Sequence, residues 1–528
     1  MDARCADGVF YNGKVFTFSS ERKSAHAIAV SEGRIIAVGS DAEIRKSAPR
    51  GCDKLDLGGK VVVPGFIDSH THFLQMGVDA LSVDLSATES MEQAMSLIRS
   101  ASQKAPKGEW VIATNWRESK WPGGTFITGA DLDKCCPGHP VVAHRICGHL
   151  STVNSLAVKK IGIDGSTPGA EVDSSGKLTG IVKEAGVSVL RAATAPTPTR
   201  KMKGLRLAIR RAHSLGVTSI QDNGNSDDFE VFRRAEKEAK LNVRVWFNSP
   251  SAVLEHRLRL GISSGFGSEW LKLGGVKIFC DGALGARSAA LSEPFTDDPG
   301  NRGMFVHPVE ELNEMAEKTN EADMQLVIHA IGDEGIEVAL SSIEHALDLD
   351  RRKDHRHRIE HLELPRQSHI ERMRQRKVIA SMQPNFVGEW SGIDGMYVER
   401  LGPERAERNN PFKEILRAKV KLAFGSDCMP FSPIYGIRSA VTATYPSQRL
   451  TVEEAVASYT RDAAYASFEE NFKGTIASGK AADFVVLSAN PFQDPDCLSS
   501  LSVLKTIVGG EVVFDRSDRI RDRPTRSA

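Results

Sequence analysis

Eight short apolar runs, rich in β-branched residues, recur through the middle of this 528-residue chain, and helical patterns separate most of them. The runs lie at 61–67, 217–220, 243–247, 273–279, 326–328, 358–359, 378–382 and 420–424. Strands that alternate with helices predict parallel βα units, and eight such units predict a closed barrel. The rival is an open doubly wound sheet, which usually has a GxGxxG turn after its first strand, and none follows residues 61–67. We therefore predict an α/β fold built on a (β/α)8 TIM barrel.

The two ends of the chain show the same sequence pattern of short strands separated by glycine turns. Asn12-Gly13 predicts a hairpin, Ser31–Gly33 a second turn, and Gly509-Gly510 a third near the other end. This similarity predicts that residues 1–60 and 472–528 form one small β-sandwich domain, joined to a barrel of residues 61–471.

The connection between the first and second predicted barrel strands is unusually long, running from about residue 73 to residue 216. Ser86 and Glu89 have the spacing of a capping box at the start of a helix. Long connections of this kind are commonly binding elements or lids. Residues 107–195 are therefore predicted to form an inserted subdomain that caps the substrate site.

Charge and composition exclude several classes of protein. The 68 Lys+Arg residues equal the 68 Asp+Glu residues, whereas a protein that holds a nucleic-acid backbone normally carries a basic surplus. No apolar run approaches the roughly 18–20 residues that span a bilayer. The eight cysteines are too sparse for a disulfide scaffold. We expect a cytoplasmic protein that binds neither nucleic acid nor membrane. Whether it forms a homodimer is left open by the sequence.

Histidines at the ends of predicted strands point to a metal site. His70 and His72 end the first strand at i and i+2, so both imidazoles lie on one face of it. An HxH pair alone is weak, but four more ionisable residues fall at the carboxyl ends of later strands, where barrel enzymes place their chemistry. These are Lys277, His329, His361 and Asp427. Together the six residues favour a metal centre in the barrel mouth.

A lysine among predicted metal ligands is unusual, because a charged ammonium group repels a metal cation. Desolvation and nearby positive charge favour the neutral amine. A neutral amine reacts with CO₂ to form an anionic carbamate, whose two oxygens can bridge two metal ions. The alternative is a Lys277 that pairs with Asp281 at the barrel rim.

The motifs PGFIDSHTH, VKIFCDGALGARSAAL, VIHAIGD, RIEHLEL, SMQPN and GSDCMP resemble the amidohydrolase superfamily, in the branch that includes N-substituted formamide deformylases. The resemblance covers essentially the whole chain. It implies that His70 and His72 bind the more buried metal, and that Lys277 is a carboxylated, bridging lysine. It also implies that His329 and His361 bind a second metal, and that Asp427 is both a ligand and the proton-handling base.

The resemblance implies metal-dependent hydrolysis of a C–N bond in a small amide-type molecule, such as an N-substituted amide, a formamide or a carbamate. One or two divalent ions, with zinc preferred, would activate water, with Asp427 as base and acid and with His361 and Lys277 as further catalytic groups. A cyclic amide or lactone hydrolase on the same metal site is the alternative. A metal-binding regulatory protein is disfavoured, because Asp427 and every proposed ligand are present.

Aromatic and polar residues in the loops suggest how a substrate is held. Trp116 in the insert, with Phe386 and Trp390 after the seventh strand, predicts an aromatic-tolerant apolar pocket. The alternative is that these rings only pack the protein. His149 matches a recurrent position of the resembled family and is expected to reach the substrate. Arg145 is expected either to bind a substrate carboxylate or to be held in a salt bridge.

Overall fold

A computed structural model of the chain describes residues 6–47, 49, 51–147 and 149–517. These residues form two compact units. The first contains the described parts of Met1–Phe73 and Ala208–Ala528, and the second contains those of Leu74–Leu207. The chain passes from one unit to the other within the helices Phe73–Asp79 and Pro198–Ser214.

Eight parallel strands form a nearly closed barrel in the first unit, and each strand pairs with the next one along the sequence. The strands are β1 Phe66–Thr71, β2 Val217–Asn223, β3 Arg244–Pro250, β4 Leu271–Phe279, β5 Leu326–Ala330, β6 Arg358–His361, β7 Ile379–Met382 and β8 Leu422–Phe424. A short strand, Phe266–Gly267, pairs antiparallel with β4. Almost every barrel residue is buried, which explains why the strands read as continuous apolar runs. The predicted (β/α)8 barrel is confirmed.

Side-chain and backbone hydrogen bonds join β8 back to β1. The Ser426 N–H donates to Asp68 Oδ1 at 2.9 Å, and the Asp427 N–H donates to the His70 carbonyl at 2.8 Å. A Cβ at Gly425 would lie 2.7 Å from the Cβ of His70, so only glycine allows this approach. The close approach brings Asp427 to the side of the first strand.

Helices follow the barrel strands. The helices are Asp228–Lys237, Leu254–Leu260, Val309–Glu321, Asp333–Leu349, Gln367–Arg376, Pro384–Trp390, Met396–Arg408, Phe412–Arg417, Pro433–Val441, Val452–Ser458 and Arg461–Ala466, with 3₁₀ turns at Ser251–Val253 and Pro495–Ser499. Asp333–Leu349 packs against both neighbouring helices and against β5. In the described part of the chain, every helix is too short or too polar to cross a membrane.

Two further sheets in the first unit form the extra domain built from both chain ends. In spatial order, the four-stranded sheet contains Arg34–Gly39, Ala27–Ser31, Gly8–Tyr11 and Asp53–Asp56. The six-stranded sheet contains Glu511–Asp515, Val503–Val508, Phe484–Leu487, Val61–Pro64, Lys14–Phe16 and Ser24–Ala25. Buried side chains of both sheets, including Phe10, Ile28 and Phe484, share one hydrophobic core. The helix Asp41–Ser47 follows the strand Arg34–Gly39.

Two sequence predictions for this domain are wrong in detail. The apolar run 61–67 is two strands, because Val61–Pro64 belongs to the six-stranded sheet and the barrel begins only at Phe66. A side chain on the intervening Gly65 would collide with Thr218. Asn12 has the expected positive φ of 58°, but the strands on either side of it lie in different sheets, so the chain crosses between sheets there.

The other two turns are hairpins. Ala27–Ser31 pairs antiparallel with Arg34–Gly39, and Val503–Val508 pairs antiparallel with Glu511–Asp515 around Gly509-Gly510. Gly33, Gly509 and Gly510 all have the positive φ that such tight turns need.

The second unit contains a six-stranded mixed sheet. In spatial order its strands are Ala170–Val172, Leu178–Lys183, Leu150–Val153, Val141–Arg145, Val111–Trp116 and Val83–Asp84. Its helices, besides the two connecting ones, are Met91–Lys104, Gly129–Cys135, Ser155–Ile161 and Ala185–Ala193, with a 3₁₀ turn at Glu118–Lys120.

The capping box predicted at Ser86 and Glu89 is wrong. The helix begins after Ser90, whose side chain accepts a hydrogen bond from the Gln93 N–H at 3.2 Å. The Ser86 hydroxyl instead donates to Asp84 at 3.0 Å, which ties it to the preceding strand.

Candidate metal centre

Three side chains converge where β8 meets β1. Asp427 Oδ1 lies 3.3 Å from His72 Nε2 and 3.7 Å from His70 Nε2. One ligand atom from each residue falls within 4.8 Å of the other two. The pairing of His70 and His72 at i and i+2 and the close approach at Gly425 together produce this arrangement.

The ring of His70 is oriented by Glu360, on β6. His70 Nδ1 contacts Glu360 Oε2, and neither side chain is exposed to solvent. Glu360 also accepts a hydrogen bond from the Ser381 hydroxyl at 2.9 Å and pairs with Arg358 Nε at 2.7 Å. A carboxylate on Nδ1 fixes the tautomer, so the Nε2 of His70 presents a lone pair to the mouth.

Backbone carbonyls orient two more histidines. His72 Nδ1 lies 2.9 Å from the Asn223 carbonyl, and His329 Nε2 lies 3.0 Å from the Gly282 carbonyl. Because a carbonyl only accepts, both of these nitrogens carry the proton. The opposite nitrogens, Nε2 of His72 and Nδ1 of His329, are therefore the lone-pair atoms.

The His361 ring lies between the rings of His70 and His329. Its ring centroid is 4.7 Å from that of His70 and 4.5 Å from that of His329. The structure thus brings His329 and His361 together beside the cluster of His70, His72 and Asp427.

Lys277, on β4, ends in the same buried region. Its Nζ has no hydrogen-bond partner among the described residues and lies 4.8 Å from the Phe279 ring centroid. Burial lowers the pKa of Lys277 to about 8, while Glu360 and Asp427 act in the opposite direction. Asp281 does not pair with Lys277, because its carboxylate accepts the N–H groups of three loop residues, Ala290, Ile331 and Gly332.

The donor atoms of this cluster fit a divalent metal. Four buried atoms lack a hydrogen-bond partner among the described residues: His70 Nε2, His361 Nδ1, Lys277 Nζ and Asp427 Oδ1. A buried polar atom without a partner costs about 1–3 kcal/mol, so four such atoms among the predicted ligands favour a bound cation. The lone pair of His72 Nε2 also faces the Asp427 carboxylate, an arrangement that a cation between them would make favourable.

Burial keeps the imidazoles in the form that binds metal. It lowers the pKa of His70 and of His361 well below the usual range and lowers that of His329 to about 3, with Lys277 adding to the effect in each case. Burial raises the pKa of Asp427 to about 7, against the lowering effect of Lys277. Neutral imidazole is the ligand form of histidine.

Four non-glycine residues at the ends of β6 and β8 have positive φ: His361 (71°), Leu362 (49°), Asp427 (51°) and Cys428 (61°). Such backbone is sparsely populated by residues with a Cβ and concentrates at functional sites. The turn of the backbone at His361 and Asp427 aims both side chains into the mouth.

Phe386 and Trp390 lie beside His361. The Phe386 ring is nearly parallel to the His361 ring, with centroids 5.9 Å apart and planes at 6°, and Trp390 lies 4.6 Å from Phe386. Both belong to an apolar cluster with Ile331 and Tyr397. An apolar wall therefore adjoins the predicted second-metal histidines.

The remaining predicted substrate residues belong to the second unit. Trp116 is fully buried, is stacked on Trp121 at 5.9 Å, and donates its indole N–H to the Ala143 carbonyl at 3.1 Å. Arg145 forms a two-point salt bridge with Glu118 at 2.9 and 2.6 Å. His149 is exposed and lies 3.2 Å from an equally exposed Glu184. A substrate role for Trp116, Arg145 and His149 stays a prediction.

Sequence reasoning did not identify Glu360. The string RIEH contains the signal, because Arg358 and Glu360 lie at i and i+2 on a strand and therefore face the same side. An acidic residue directly before a predicted ligand, and a basic residue two positions before the acidic one, together indicate a buried ion pair that can orient metal ligands.

The comparisons with known proteins agree with this geometry. A family model described as "Amidohydrolase family" matches residues 53–514. The chain is 31% identical to Protein LONG AFTER FAR-RED 3 of Arabidopsis thaliana, over 96% of this chain and 92% of that protein. It is 27% identical to the N-substituted formamide deformylase of Arthrobacter pascens, over 97% of this chain and 99% of that protein, which supports the resemblance seen in the motifs.

A solved structure extends the comparison. An uncharacterized metal-dependent hydrolase from Pyrococcus furiosus superposes with a TM-score of 0.80 and 29% identity, over 92% of this chain and 99% of that one. The family match over most of the sequence and the agreement of the whole barrel show that this chain belongs to the amidohydrolase family and is a metal-dependent hydrolase of small molecules.

Proposed function

We propose that the enzyme hydrolyses the C–N bond of a small amide-type substrate: an N-substituted amide, a formamide or a carbamate. The observation that carries the proposal is the convergence of His70, His72 and Asp427, with buried donor atoms that lack hydrogen-bond partners among the described residues. The similarity to an N-substituted formamide deformylase supports the bond type. A cytoplasmic location and a homodimer stay predictions.

His70, His72 and Asp427 would hold one divalent ion, with His329, His361 and Lys277 available for a second. When bound, such an ion, with zinc preferred, lowers the pKa of water and polarises a carbonyl group. The protein's own part is to orient the ligands, which Glu360 does for His70 and the Asn223 carbonyl does for His72.

Asp427 is the proposed proton carrier. As the attacking water oxygen bonds to the carbonyl carbon, Asp427 accepts one proton from that water. As the C–N bond breaks, Asp427 returns the proton to the departing nitrogen, so that the amine leaves neutral. His361, beside the same site, is proposed to stabilise the negative charge that develops on the carbonyl oxygen. The apolar wall of Phe386 and Trp390 next to His361 suits an apolar substituent on the substrate.

Lys277 is proposed to be carboxylated. Its amine nitrogen would bond to the carbon of CO₂ and release one proton to water, which leaves an anionic carbamate. The support is geometric: the Nζ is buried, unpartnered among the described residues, and lies in the region that holds the predicted ligands. A carbamate would supply the oxygen atoms that a second metal position requires.

Asp427→Asn tests the function. The amide keeps the shape of the side chain but cannot carry the proton, so turnover should fall by roughly 10²–10⁴-fold. The assay is amine release from a panel of N-substituted formamides, amides and carbamates, together with a hydantoin and a lactone. Asp394→Asn is the matched control, because Asp394 is exposed and should leave turnover unchanged.

Each outcome on the panel has a meaning. Cleavage of the hydantoin or lactone alone would replace the proposal by the cyclic-substrate alternative. No turnover of any substrate by the metal-loaded wild type would favour the regulatory alternative. Full activity of the Asp427→Asn variant would refute the role of this residue.

A further inference from the structure

A cavity of about 680 Å³ lies within the second unit, and every residue that lines it belongs to residues 74–207. This volume is in the range of pockets that hold small organic ligands, roughly 300–1,000 Å³. Its apolar surface comes from the edge of the sheet and from the end of the helix Met91–Lys104, through residues such as Val83, Ala101, Trp110 and Val111.

The charged groups around the cavity are unbalanced. Four cationic side chains line it, against one carboxylate: Lys104, Lys160, Arg200 and Lys203 against Glu109. Lys203 Nζ lies 3.7 Å from Glu109, with both side chains about half exposed, so this pair is weak. In the described part of the chain, the other three cations form no ion pair. The wall therefore carries a surplus of positive charge.

Arg200 is the strongest single indication. It is partly buried, its Nε is shielded from solvent with no hydrogen-bond partner among the described residues, and its Nη2 is 3.4 Å from the Ser82 hydroxyl. Burial lowers the pKa of Arg200, and the more distant Glu109 and Asp79 offset this only in part. A desolvated guanidinium is costly unless an anion pairs with it, and its planar fork matches a carboxylate.

Trp110 offers an aromatic surface in the same cavity. Lys160 Nζ lies 5.0 Å from its ring centroid, a cation–π contact that holds a positive charge beside the ring. A ligand with a negative head and a flat apolar body would satisfy both features at once.

We propose that this cavity binds a small organic anion, a carboxylate carried on an apolar or aromatic body. Arg200 and Lys203 bind the carboxylate, and the apolar wall around Trp110 accommodates the body. The proposal is independent of the hydrolysis proposed above, since none of the residues involved belongs to the metal centre.

The test is isothermal titration of the full-length, metal-loaded protein with 4-phenylbutyrate. Binding to one site per chain is expected. The neutral analogue 4-phenylbutanol and inorganic phosphate should each bind at least about tenfold more weakly. The alcohol lacks the negative charge, and phosphate lacks the apolar body. Arg200→Gln and Lys203→Gln should each weaken 4-phenylbutyrate binding, the first by about tenfold or more, which is about 1.4 kcal/mol.

Two variants locate the site. Lys177→Gln removes an exposed lysine of the same unit that does not line the cavity, and should leave the affinity unchanged. His72→Ala disrupts the metal centre and should also keep the binding. Lys203 is exposed, so its substitution tests the proposal even if the Arg200 variant fails to fold.

Three results would overturn the proposal. They are the absence of 4-phenylbutyrate binding, equal binding of the alcohol, and an unchanged affinity in both cavity variants. Loss of binding in His72→Ala, with retention in Arg200→Gln, would assign the ligand to the metal centre instead.

Discussion

Glu360→Gln is the sharpest test of how the metal centre is built. In the native protein, the Glu360 carboxylate contacts His70 Nδ1, accepts a hydrogen bond from the Ser381 hydroxyl and forms an ion pair with Arg358 Nε. Glutamine has nearly the same shape, but only one of its two terminal atoms can accept a hydrogen bond. The substitution therefore removes charge and acceptor capacity at the back of His70 without opening a cavity.

Two effects of different size follow. Loss of a carboxylate that orients a metal-binding histidine typically costs 10–100-fold in metal affinity, or about 1.4–2.7 kcal/mol. The second effect is on folding, because Arg358 is fully buried and would lose its charge partner. Breaking a buried ion pair from one side costs about 3–5 kcal/mol of the free energy of unfolding.

The two effects are measured separately. Competition with a chromophoric chelator gives the zinc affinity of the native protein, and urea unfolding of metal-free protein gives the stability. Glu363→Gln is the matched control, since Glu363 is also buried but faces Tyr397 and Asn410. It should leave the zinc affinity within about twofold, because it removes no partner of a ligand.

The reasoning would be refuted if Glu360→Gln bound zinc as tightly as the wild type. It would also be refuted if Glu363→Gln lost as much affinity as Glu360→Gln, because the loss would then reflect buried charge in general.

Two further predictions follow from contacts in the first unit. Asp483→Asn should lower the free energy of unfolding by about 3–5 kcal/mol in urea, because Asp483 forms a buried two-point pair with Arg244 at 2.7 and 3.1 Å; a loss below about 1 kcal/mol would contradict this. If Lys277 is carboxylated as proposed, Lys277→Ala should bind one metal ion fewer than the wild type in metal analysis of the purified protein, and should lack the added mass of CO₂ expected for gently prepared wild type. An unchanged metal content would argue against a bridging carbamate.

The barrel and the rim of its mouth were predictable because both depend on simple periodicities. Apolar β-branched runs mark buried parallel strands, and the carboxyl ends of such strands meet at one rim. His70, His329 and Asp427 could therefore be assigned to a common mouth before any coordinates. The resemblance of the motifs added their expected roles.

Other features depend on tertiary contacts that no local pattern encodes. The run 61–67 is apolar throughout, and strands buried in two different sheets look alike in sequence, so the break at Gly65 was missed. Glu360 and His361 are adjacent and would face opposite sides of a regular strand. The positive φ of His361 removes that alternation, so both side chains serve the same site.

The strand Val61–Pro64 has a consequence for biosynthesis. One edge of it pairs with Lys14–Phe16, which the ribosome releases earlier, but the other edge pairs with Phe484–Leu487, which emerges only after the whole barrel sequence has been translated. Until then a buried-type strand has an unpaired edge, which is an aggregation hazard in a nascent chain. Only Gly65 separates this strand from β1, at whose end lie the first two predicted metal ligands, His70 and His72. The chain therefore keeps an unpaired strand edge directly beside its first predicted metal ligands for most of translation, and truncation before residue 484 should leave that edge open to aggregation.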